Sequence, residues 1–238
     1  MNVDVTTWTT TGGYLTSSGS TGTPKTIFQP PGKILAMIDA AVDAQDLLTE
    51  SSVLTVCKLA HAGGLFAQTL PAMYIGATVE IAEFNAYNFF ELLKPHTHTH
   101  LTPDHCRALM NTKAWDNIDL SGKFVACGSD NVEWSMIRGF VERGATFLAN
   151  WGMTEVGPVA INKKYTTVAQ VDEDQALAPE PRATIMGDKL YCETYIASDG
   201  ELCVRGDITV NGNHWFPTRD RVAEIKGRYY YLGRKLKA

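Results

Sequence analysis

Apolar segments of two kinds alternate through the first two-thirds of this 238-residue chain, and the alternation constrains the fold more than any other feature. Short runs such as SVLTV (residues 52–56) and KFVAC (residues 123–127) are apolar without polar alternation, as in strands covered on both faces. Longer segments such as residues 33–48 carry apolar side chains at helical spacing. Strands that alternate with crossover helices predict an α/β fold with a mainly parallel sheet and flanking helices.

The pattern changes after about Lys164. Residues 166–182 are acidic and contain prolines, which predicts a connector. Beyond it, the turn signals at Asp199–Gly200, 211–213 and Lys226–Gly227 separate short strand-like segments, which predicts a meander of hairpins. We therefore expect an α/β core at residues 1–165, a connector at 166–182 and a smaller β-rich subdomain at 183–238.

Composition excludes some classes of protein. The net charge of -5 argues against a dedicated nucleic-acid or membrane-surface binder, which would carry a basic bias. The five cysteines form no C-x-x-C pair, which predicts reduced thiols in a cytoplasmic protein. The N-terminus has no secretory-signal pattern, and no apolar run approaches the ~20 residues of a membrane span.

The segment TSSGSTGTPKT at residues 16–26 has the composition of a phosphate-holding loop, which we place between a strand and a helix. It misses the G-x-x-x-x-G-K-[ST] pattern of P-loop NTPases by one position, because Pro24 replaces the second glycine. Proline has no backbone N–H to direct at phosphate, so we predict that the chain is not an NTPase of that kind. A purely structural Gly/Ser/Thr turn stays open as the alternative.

The loop resembles the signature loop of the adenylate-forming superfamily, which comprises acyl-CoA synthetases, luciferases and amino-acid adenylation domains. Four further segments resemble motifs of that superfamily and follow in its order. The five segments are SSGSTGTPK (17–25), NWGMTE (150–155), GELCVRG (200–206), WFPTRD (215–220) and YYLGR (230–234). Trp151 stands where the superfamily usually has tyrosine, and Arg219 where it usually has glycine. The stretch from Lys58 to Ile81 resembles acyl- and aryl-CoA ligases and leans toward the o-succinylbenzoate–CoA ligase-like branch.

The resemblance implies that the α/β core binds ATP or AMP with Mg²⁺, that the substrate is a small-molecule carboxylic acid, and that CoA is a possible further substrate. The residues implied to contact phosphate are Ser17, Ser18, Gly19, Ser20, Thr21, Gly22, Thr23 and the catalytic Lys25. Thr154 would contact the α-phosphate, and Glu155 would help to hold Mg²⁺, which prefers carboxylate and phosphate oxygens.

The nucleoside and acid sides are implied in the same way. The residues implied to surround adenine are Cys127, Gly128, Ser129, Asn150, Trp151 and Gly152, while Asp220 and Arg234 would contact ribose or phosphate. His61, Gly63 and Gly64 would line the acid side. Taken singly, each has an ordinary alternative: Trp151 as a core aromatic, Glu155 as a helix-start acid, Asp220 with Arg234 as a surface ion pair, and His61 as a turn histidine.

The run HTHTH at residues 96–100 raises a separate hypothesis. In a strand, its three histidines would share one face at a spacing that can chelate zinc, but no cysteine or acidic partner is evident nearby. The resemblance instead places the run at the head of an ordinary sheet strand.

Full-length relatives carry a further segment before the phosphate loop and a mobile C-terminal domain that supplies a catalytic lysine, and we expect this chain to lack both. Three hypotheses therefore stay open. The chain is a minimal or split AMP-forming carboxylate ligase, with a separate chain as a possible source of the lysine domain; or it is a non-catalytic module that binds ATP, AMP or an acyl-adenylate; or it is a metal-binding or interaction protein.

Overall fold

The structure is a computed structural model that describes residues 3–17 and 25–235. Within these ranges, fourteen strands form three sheets. The strands are β1 Gly13–Ser17, β2 Lys25–Gln29, β3 Ser52–Thr55, β4 Thr78–Ile81, β5 His98–Leu101, β6 Phe124–Cys127, β7 Thr146–Met153, β8 Gly157–Tyr165, β9 Thr184–Gly187, β10 Lys189–Leu190, β11 Glu193–Ile196, β12 Glu201–Arg205, β13 Phe216–Ile225 and β14 Arg228–Arg234.

Helices flank the central sheet and connect its parallel strands. In chain order they are Val5–Thr10, Pro31–Ala44, Ala62–Gly64, a π-helical turn Leu65–Thr69, Leu70–Tyr74, Phe89–Leu93, Pro103–Met110, a 3-10 helix Lys113–Asn117, Trp134–Glu142 and Val168–Leu177. None of the helices in the described ranges is both long and apolar enough to cross a membrane.

The central sheet has seven strands in the order β10-β8-β7-β6-β5-β3-β4. The five strands from β7 to β4 run parallel, and β8 and β10 add antiparallel strands at one edge. All four residues of β5 and all four of β6 are buried, because helices cover both faces of the sheet. The predicted α/β class with a mainly parallel sheet is confirmed.

Two helices show how the local sequence determines where a helix begins: one spans Pro31–Ala44, where residues 33–48 were expected, and the other spans Pro103–Met110. The helix Pro31–Ala44 has proline at its first position and buries one face that includes Ile34, Met37 and Ile38. The helix Pro103–Met110 is capped by Thr102, whose hydroxyl accepts a hydrogen bond from the backbone N–H of His105. Both helices follow directly from apolar spacing and capping chemistry.

The predicted strand–loop–helix around the glycine-rich segment is wrong. β1 and β2 pair antiparallel, with Ser17 opposite Lys25, so the segment joins the two strands of a hairpin, and the next helix starts only at Pro31. Residues 18–24 themselves lie outside the described residues. The hairpin places Lys25 at the start of β2, directly after the glycine-rich segment.

The predicted connector also needs correction, because it contains the helix Val168–Leu177. Thr167 and Gln170 form a reciprocal capping box at its start. Asp174 on this helix is buried, and it accepts a hydrogen bond from Tyr165 at 2.7 Å and lies 3.1 Å from the Lys163 Nζ and 2.5 Å from the Arg228 Nε. The segment is therefore packed into the protein rather than passing over it.

The C-terminal region forms a five-stranded antiparallel sheet in the order β11-β12-β13-β14-β9. Between β9 and β11, the two-residue strand β10 pairs with β8 of the central sheet. The chain thus changes sheets at Asp188, which lies between β9 and β10. Gly187 lies against the β8 backbone, where a Cβ would come within 2.2 Å of the Asn162 carbonyl carbon. The division at residue 183 stays a prediction.

Candidate functional site

A cleft of about 1130 Å³ runs across the carboxyl ends of the parallel strands. Its lining comes from four parts of this sheet edge. These are residues 56–59 after β3, residues 81–84 at the end of β4 and beyond it, the end of β5 with the residues that follow it, and the end of β7. Ligands of open α/β sheets bind at this edge, because the loops that leave neighbouring strands meet there. We call this cavity the main cleft.

Residues predicted from separate motifs come together in the main cleft. Those that line it are Lys25, His61, Gly63, Gly64, Ser129, Asn150, Gly152, Thr154, Glu155 and Arg234. They come from five segments of the chain that are far apart in sequence. The fold therefore brings together the side chains that the resemblance assigned to phosphate, metal and acid.

A smaller cavity of about 140 Å³, which we call the side recess, adjoins the main cleft and shares Ser129, Asn150, Gly152, Met153 and Arg234 with it. It is also lined by Trp151 and Asp220. The indole N–H of Trp151 donates to Asp220 Oδ2 at 3.0 Å, so the second and fourth motifs are in direct contact. Trp151 is half-buried at a cavity wall, rather than a fully buried core aromatic.

Asp220 is a buried carboxylate with few partners. It is 5% exposed, its Oδ1 has no hydrogen-bond partner among the described residues, and the Arg234 Nε is 3.8 Å from that oxygen. Burial raises the pKa of Asp220, while the Trp151 hydrogen bond and the Arg234 charge act in the opposite direction. The pair is therefore not a simple surface ion pair, and Oδ1 is free to accept a hydrogen bond from a ligand in the recess.

Thr154 and Glu155 lie in the turn between β7 and β8, so the alternative of Glu155 as a helix-start acid is wrong. Behind this turn is Lys33, which the motif analysis missed. Its Nζ donates to the Gln29 side chain at 2.5 Å and to the Thr154 carbonyl at 2.9 Å, and the residue is 3% exposed.

Lys33 joins the end of the β1–β2 hairpin to the Thr154–Glu155 turn. Burial lowers the pKa of Lys33 to about 7, and the nearby carboxylate of Glu155 opposes this shift. The amine therefore contacts one wall segment of the main cleft from behind without lining the cavity. A single lysine that follows a Pro-Pro-Gly sequence carries no sequence signal of burial, which is why it was missed.

Gly63 lies close to two other residues of the main cleft wall, Ser129 and His100. A Cβ there would come within 2.8 Å of Ser129 Oγ and 3.5 Å of His100 Cε1. His61 precedes this turn and is exposed, while Gly64 is buried beneath it. Glycine therefore leaves open the space between the turn and the His100 side chain.

The three histidines of the 96–100 run have different environments. His96 contacts Ser52 Oγ at 2.8 Å and Glu80 at 3.1 Å, and His98 Nε2 lies 3.0 Å from the Gln45 carbonyl. Only His100 lines the main cleft. Among residues 3–17 and 25–235, no cluster of three His, Cys, Asp or Glu side chains could hold a metal ion, which argues against the zinc hypothesis.

Some predicted residues lie elsewhere. The prediction that Cys127 surrounds adenine needs correction, because its side chain lines neither cavity. Its Sγ lies in the core, 3.6 Å from that of Cys106, and burial raises the pKa of the Cys127 thiol. Gly128 lies beneath Asn150, whose amide nitrogen would be 2.5 Å from a Cβ there. Ser17 ends β1, and its side chain is not described. Ser18, Gly19, Ser20, Thr21, Gly22 and Thr23 lie outside the described residues.

Arg219 occupies the position where the superfamily usually has glycine, and its backbone explains that preference. Its φ is 67°, in the left-handed region that costs a side-chain-bearing residue about 1 kcal/mol or more. Its N–H donates to Glu201 at 2.7 Å. The departure from the motif therefore changes the side chain while keeping the backbone shape next to Asp220.

Comparison with known proteins gives one family. Residues 13–213 match the model of the AMP-binding enzyme family. The chain is 30% identical to an indoleacetate–CoA ligase of Aromatoleum aromaticum over 91% of its own length and 43% of that protein. It is 27% identical to a phenylacetyl-CoA ligase of Aspergillus niger over 94% of its length and 43% of that protein. The chain thus spans less than half the length of these relatives.

Solved structures show the same fold. o-Succinylbenzoate CoA synthetase of Bacillus subtilis, in complex with ATP and magnesium ion, superimposes with a TM-score of 0.76 at 18% identity, over 93% of this chain and 49% of that one. McyG A-PCP complexed with phenylalanyl-adenylate gives a TM-score of 0.77 at 18% identity, over 93% of this chain and 46% of that one. At this level of identity the comparison establishes the fold.

Proposed function

The chain belongs to the AMP-binding enzyme family, as its resemblance to the adenylate-forming superfamily predicted, and on this basis we propose that it binds ATP and a carboxylic acid and joins them as an acyl-adenylate. Formation of a CoA thioester from that adenylate is the second half of the proposed reaction. The relatives named as CoA ligases support this assignment.

The observation that carries the proposal is the connection between the two cavities. Lys25, Thr154 and Glu155 line the main cleft, and Trp151 and Asp220 line the side recess. The two cavities adjoin along a shared wall that contains polar side chains and the guanidinium of Arg234. An adenosine in the side recess would therefore present its α-phosphate to the cleft that also contains the His61–Gly64 turn.

The proposed chemistry asks the protein to position two anions and to neutralise growing charge. A carboxylate oxygen of the acid forms a bond to the α-phosphorus as the bond from that phosphorus to the pyrophosphate oxygen breaks. The electron pair leaves with pyrophosphate, so no proton transfer is needed. In this proposal Lys25 offers a point charge, the Thr154 hydroxyl donates a hydrogen bond, and Asp220 accepts from the ribose hydroxyls.

The donor set at the turn fits Mg²⁺. The Glu155 carboxylate is partly exposed at the wall of the main cleft, and Mg²⁺ commonly takes one or two protein carboxylates and completes its shell with phosphate oxygens and water. We propose that Glu155 holds the ion together with the phosphates. When bound, the ion neutralises charge on the phosphate oxygens.

The test is ATP–pyrophosphate exchange with a panel of aryl and short-chain acids. The purified chain should incorporate labelled pyrophosphate into ATP only when a suitable acid is present. Thr154→Val should lower the exchange rate roughly 10-fold or more, since it keeps the shape and removes the hydroxyl. The matched control is Thr166→Val, at an exposed threonine outside both cavities.

The exchange assay also separates the open hypotheses. Tight AMP binding without exchange would favour the non-catalytic binding module, and failure to bind any adenine nucleotide would overturn the whole proposal. Repeating the assay with candidate partner chains tests whether a separate chain supplies the lysine domain. A cytoplasmic setting stays a prediction; the five cysteines are free thiols, which is compatible with it.

A further inference from the structure

Lys33 occupies an unfavourable position for a lysine, and the proposed chemistry gives it no role. It is 3% exposed and lies beside the apolar Ile34 and Met37 on the buried face of the helix Pro31–Ala44. It also lies in the first turn of that helix, where the helix dipole disfavours a cation. An aliphatic side chain is commonly at least as stable at such a buried position. The groups that the amine contacts therefore indicate what it does.

Those groups belong to two different parts of the protein. The Lys33 Nζ donates to Gln29 Oε1 at 2.5 Å, at the end of β2, and to the Thr154 carbonyl at 2.9 Å. Because β2 begins at Lys25, the amine joins the strand that follows the glycine-rich segment to the turn between β7 and β8. The two bonds need two N–H groups, which a lysine amine has whether or not it is protonated.

The two carbonyls of this turn have different kinds of partner. The Glu155 carbonyl accepts a hydrogen bond from the backbone N–H of Val210 at 2.8 Å, which any residue except proline would supply at position 210. The Thr154 carbonyl accepts its bond from the Lys33 side chain instead. The position of Thr154 therefore depends on the identity of residue 33 in a way that the position of Glu155 does not.

Lys33 contacts the turn from the side away from the ligand. Thr154 lines the main cleft, whereas Lys33 lines neither cavity. A hydroxyl that donates to a phosphate oxygen has to be held within about 0.5 Å of its productive position, which requires a fixed backbone beneath it. The bond from Lys33 to the Thr154 carbonyl supplies this restraint.

We propose that Lys33 is a positioning residue, whose amine fixes the Thr154 backbone and thereby holds the Thr154 hydroxyl toward the α-phosphate of the nucleotide. The inference rests on the proposed function, because it assumes that a nucleotide phosphate lies against this turn. Lys33 itself contacts no substrate. Loss of its amine should therefore weaken the binding of the phosphate and leave the binding of the nucleoside unchanged.

The test compares AMP with adenosine by calorimetric titration, because the two differ only in the phosphate and neither requires catalysis. Wild type should bind AMP more tightly than adenosine. Lys33→Met keeps the length of the side chain and removes its donors. It should lower AMP affinity roughly 5-fold or more and change adenosine affinity less than about twofold. The matched control is Ile38→Ala, at a buried residue of the same helix outside both cavities. It should lower the urea midpoint of unfolding and leave both affinities within about twofold.

A double-mutant cycle asks whether Lys33 acts through the Thr154 hydroxyl. In a Thr154→Val background, Lys33→Met should weaken AMP binding less than about twofold further, because the group that it positions is already absent. Additive losses would contradict the proposal, since a merely structural role of Lys33 is independent of that hydroxyl. An equal loss of AMP and adenosine affinity in Lys33→Met would contradict it as well.

A second variant keeps the test decisive if Lys33→Met folds poorly. Gln29→Met removes the other partner of the amine, and it should lower AMP affinity roughly threefold without changing adenosine affinity. Unchanged AMP affinity in whichever of the two variants folds would overturn the role of Lys33 alone. Equal wild-type affinities for AMP and adenosine would also overturn the placement of the phosphate at the turn. Failure of wild type to bind either compound would overturn the proposed function itself.

Discussion

Two buried aspartates differ in their partners, and under the proposed function this difference separates a structural role from a ligand-binding role. Asp174 is 1% exposed and is surrounded by Tyr165, Lys163 and Arg228, which come from β8 and β14. Asp220 is 5% exposed, yet among the residues that the structure describes it accepts one side-chain hydrogen bond, from Trp151, and the nearest cation, Arg234, is 3.8 Å away.

The difference shows that partners, rather than burial, separate the two roles. A buried charge that is surrounded by cations and hydroxyl groups stabilises its surroundings only as a complete set, and removal of one member is costly. A buried carboxylate at a cavity wall without a cation in close contact is held there by the rest of the fold, at a cost, until a ligand donates to it. Experiments that remove each carboxylate should therefore give opposite results.

The largest expected effect belongs to Asp174. Asp174→Ala leaves Lys163 and Arg228 without their shared carboxylate, and it should lower the free energy of unfolding by about 3–5 kcal/mol. Urea denaturation measures this loss. Asp172→Ala is the matched control on the same helix, because Asp172 forms an exposed ion pair with Arg138 and should cost less than about 1 kcal/mol. Equal losses for the two variants would show that Asp174 is not the centre of a structural network.

Asp220 should show the reverse. Asp220→Ala should weaken AMP binding by about 1–3 kcal/mol, since it removes the acceptor for the ribose hydroxyls. Its free energy of unfolding should be unchanged or slightly higher, because a costly buried carboxylate is gone. Calorimetry with AMP and urea denaturation measure the two effects, with Asp207→Ala at an exposed site as control. Unchanged AMP affinity would remove Asp220 from the site.

The smallest expected effect is a pH dependence of the free energy of unfolding. It tests whether burial disfavours the charged form of His100, as it does for Asp220. Its pKa is about 4 in the folded chain, against 6.5 for an ordinary histidine, so between these values the unfolded chain binds more protons. The free energy of unfolding should therefore fall as pH drops from 6.5 toward 4, by at most ~1.4 kcal/mol per pH unit from this group. His100→Leu should flatten that slope in urea denaturation, whereas an identical slope would place His100 in water.

Sequence patterns predicted the parallel part of the fold well, because buried parallel strands and capped helices have strong local signals. SVLTV and KFVAC became strands of the central sheet, and the helical segment expected at residues 33–48 became the helix Pro31–Ala44. The antiparallel strand β8 was missed, since a strand after Gly157–Pro158 with two lysines near its end lacks a clear pattern. The helix Val168–Leu177 was missed because its composition is acidic, although Thr167 and Gln170 carried a capping signal.

The candidate site could be predicted only as far as motifs extend. The motif residues Thr154, Glu155 and Asp220 do line adjoining cavities. Lys33 lies in no motif, and His100 was singled out only within the HTHTH run; the burial of both depends on helices and strands that are distant in sequence. The different environments of His96, His98 and His100 likewise depend on which residues of neighbouring elements each side chain contacts. Chemistry that depends on burial requires the tertiary structure.

The crossing at Asp188 has a consequence for dissecting the protein. β9 pairs with β14 in one sheet, and β10 pairs with β8 in the other. Only Asp188 separates β9 from β10, so the connection between the two sheets is a single residue long. A chain cut within residues 178–183 would yield an N-terminal piece whose central sheet lacks β10 and a C-terminal piece that lacks the surface on which it folds. The two fragments should associate and complement each other when produced together, and neither should fold as an autonomous unit.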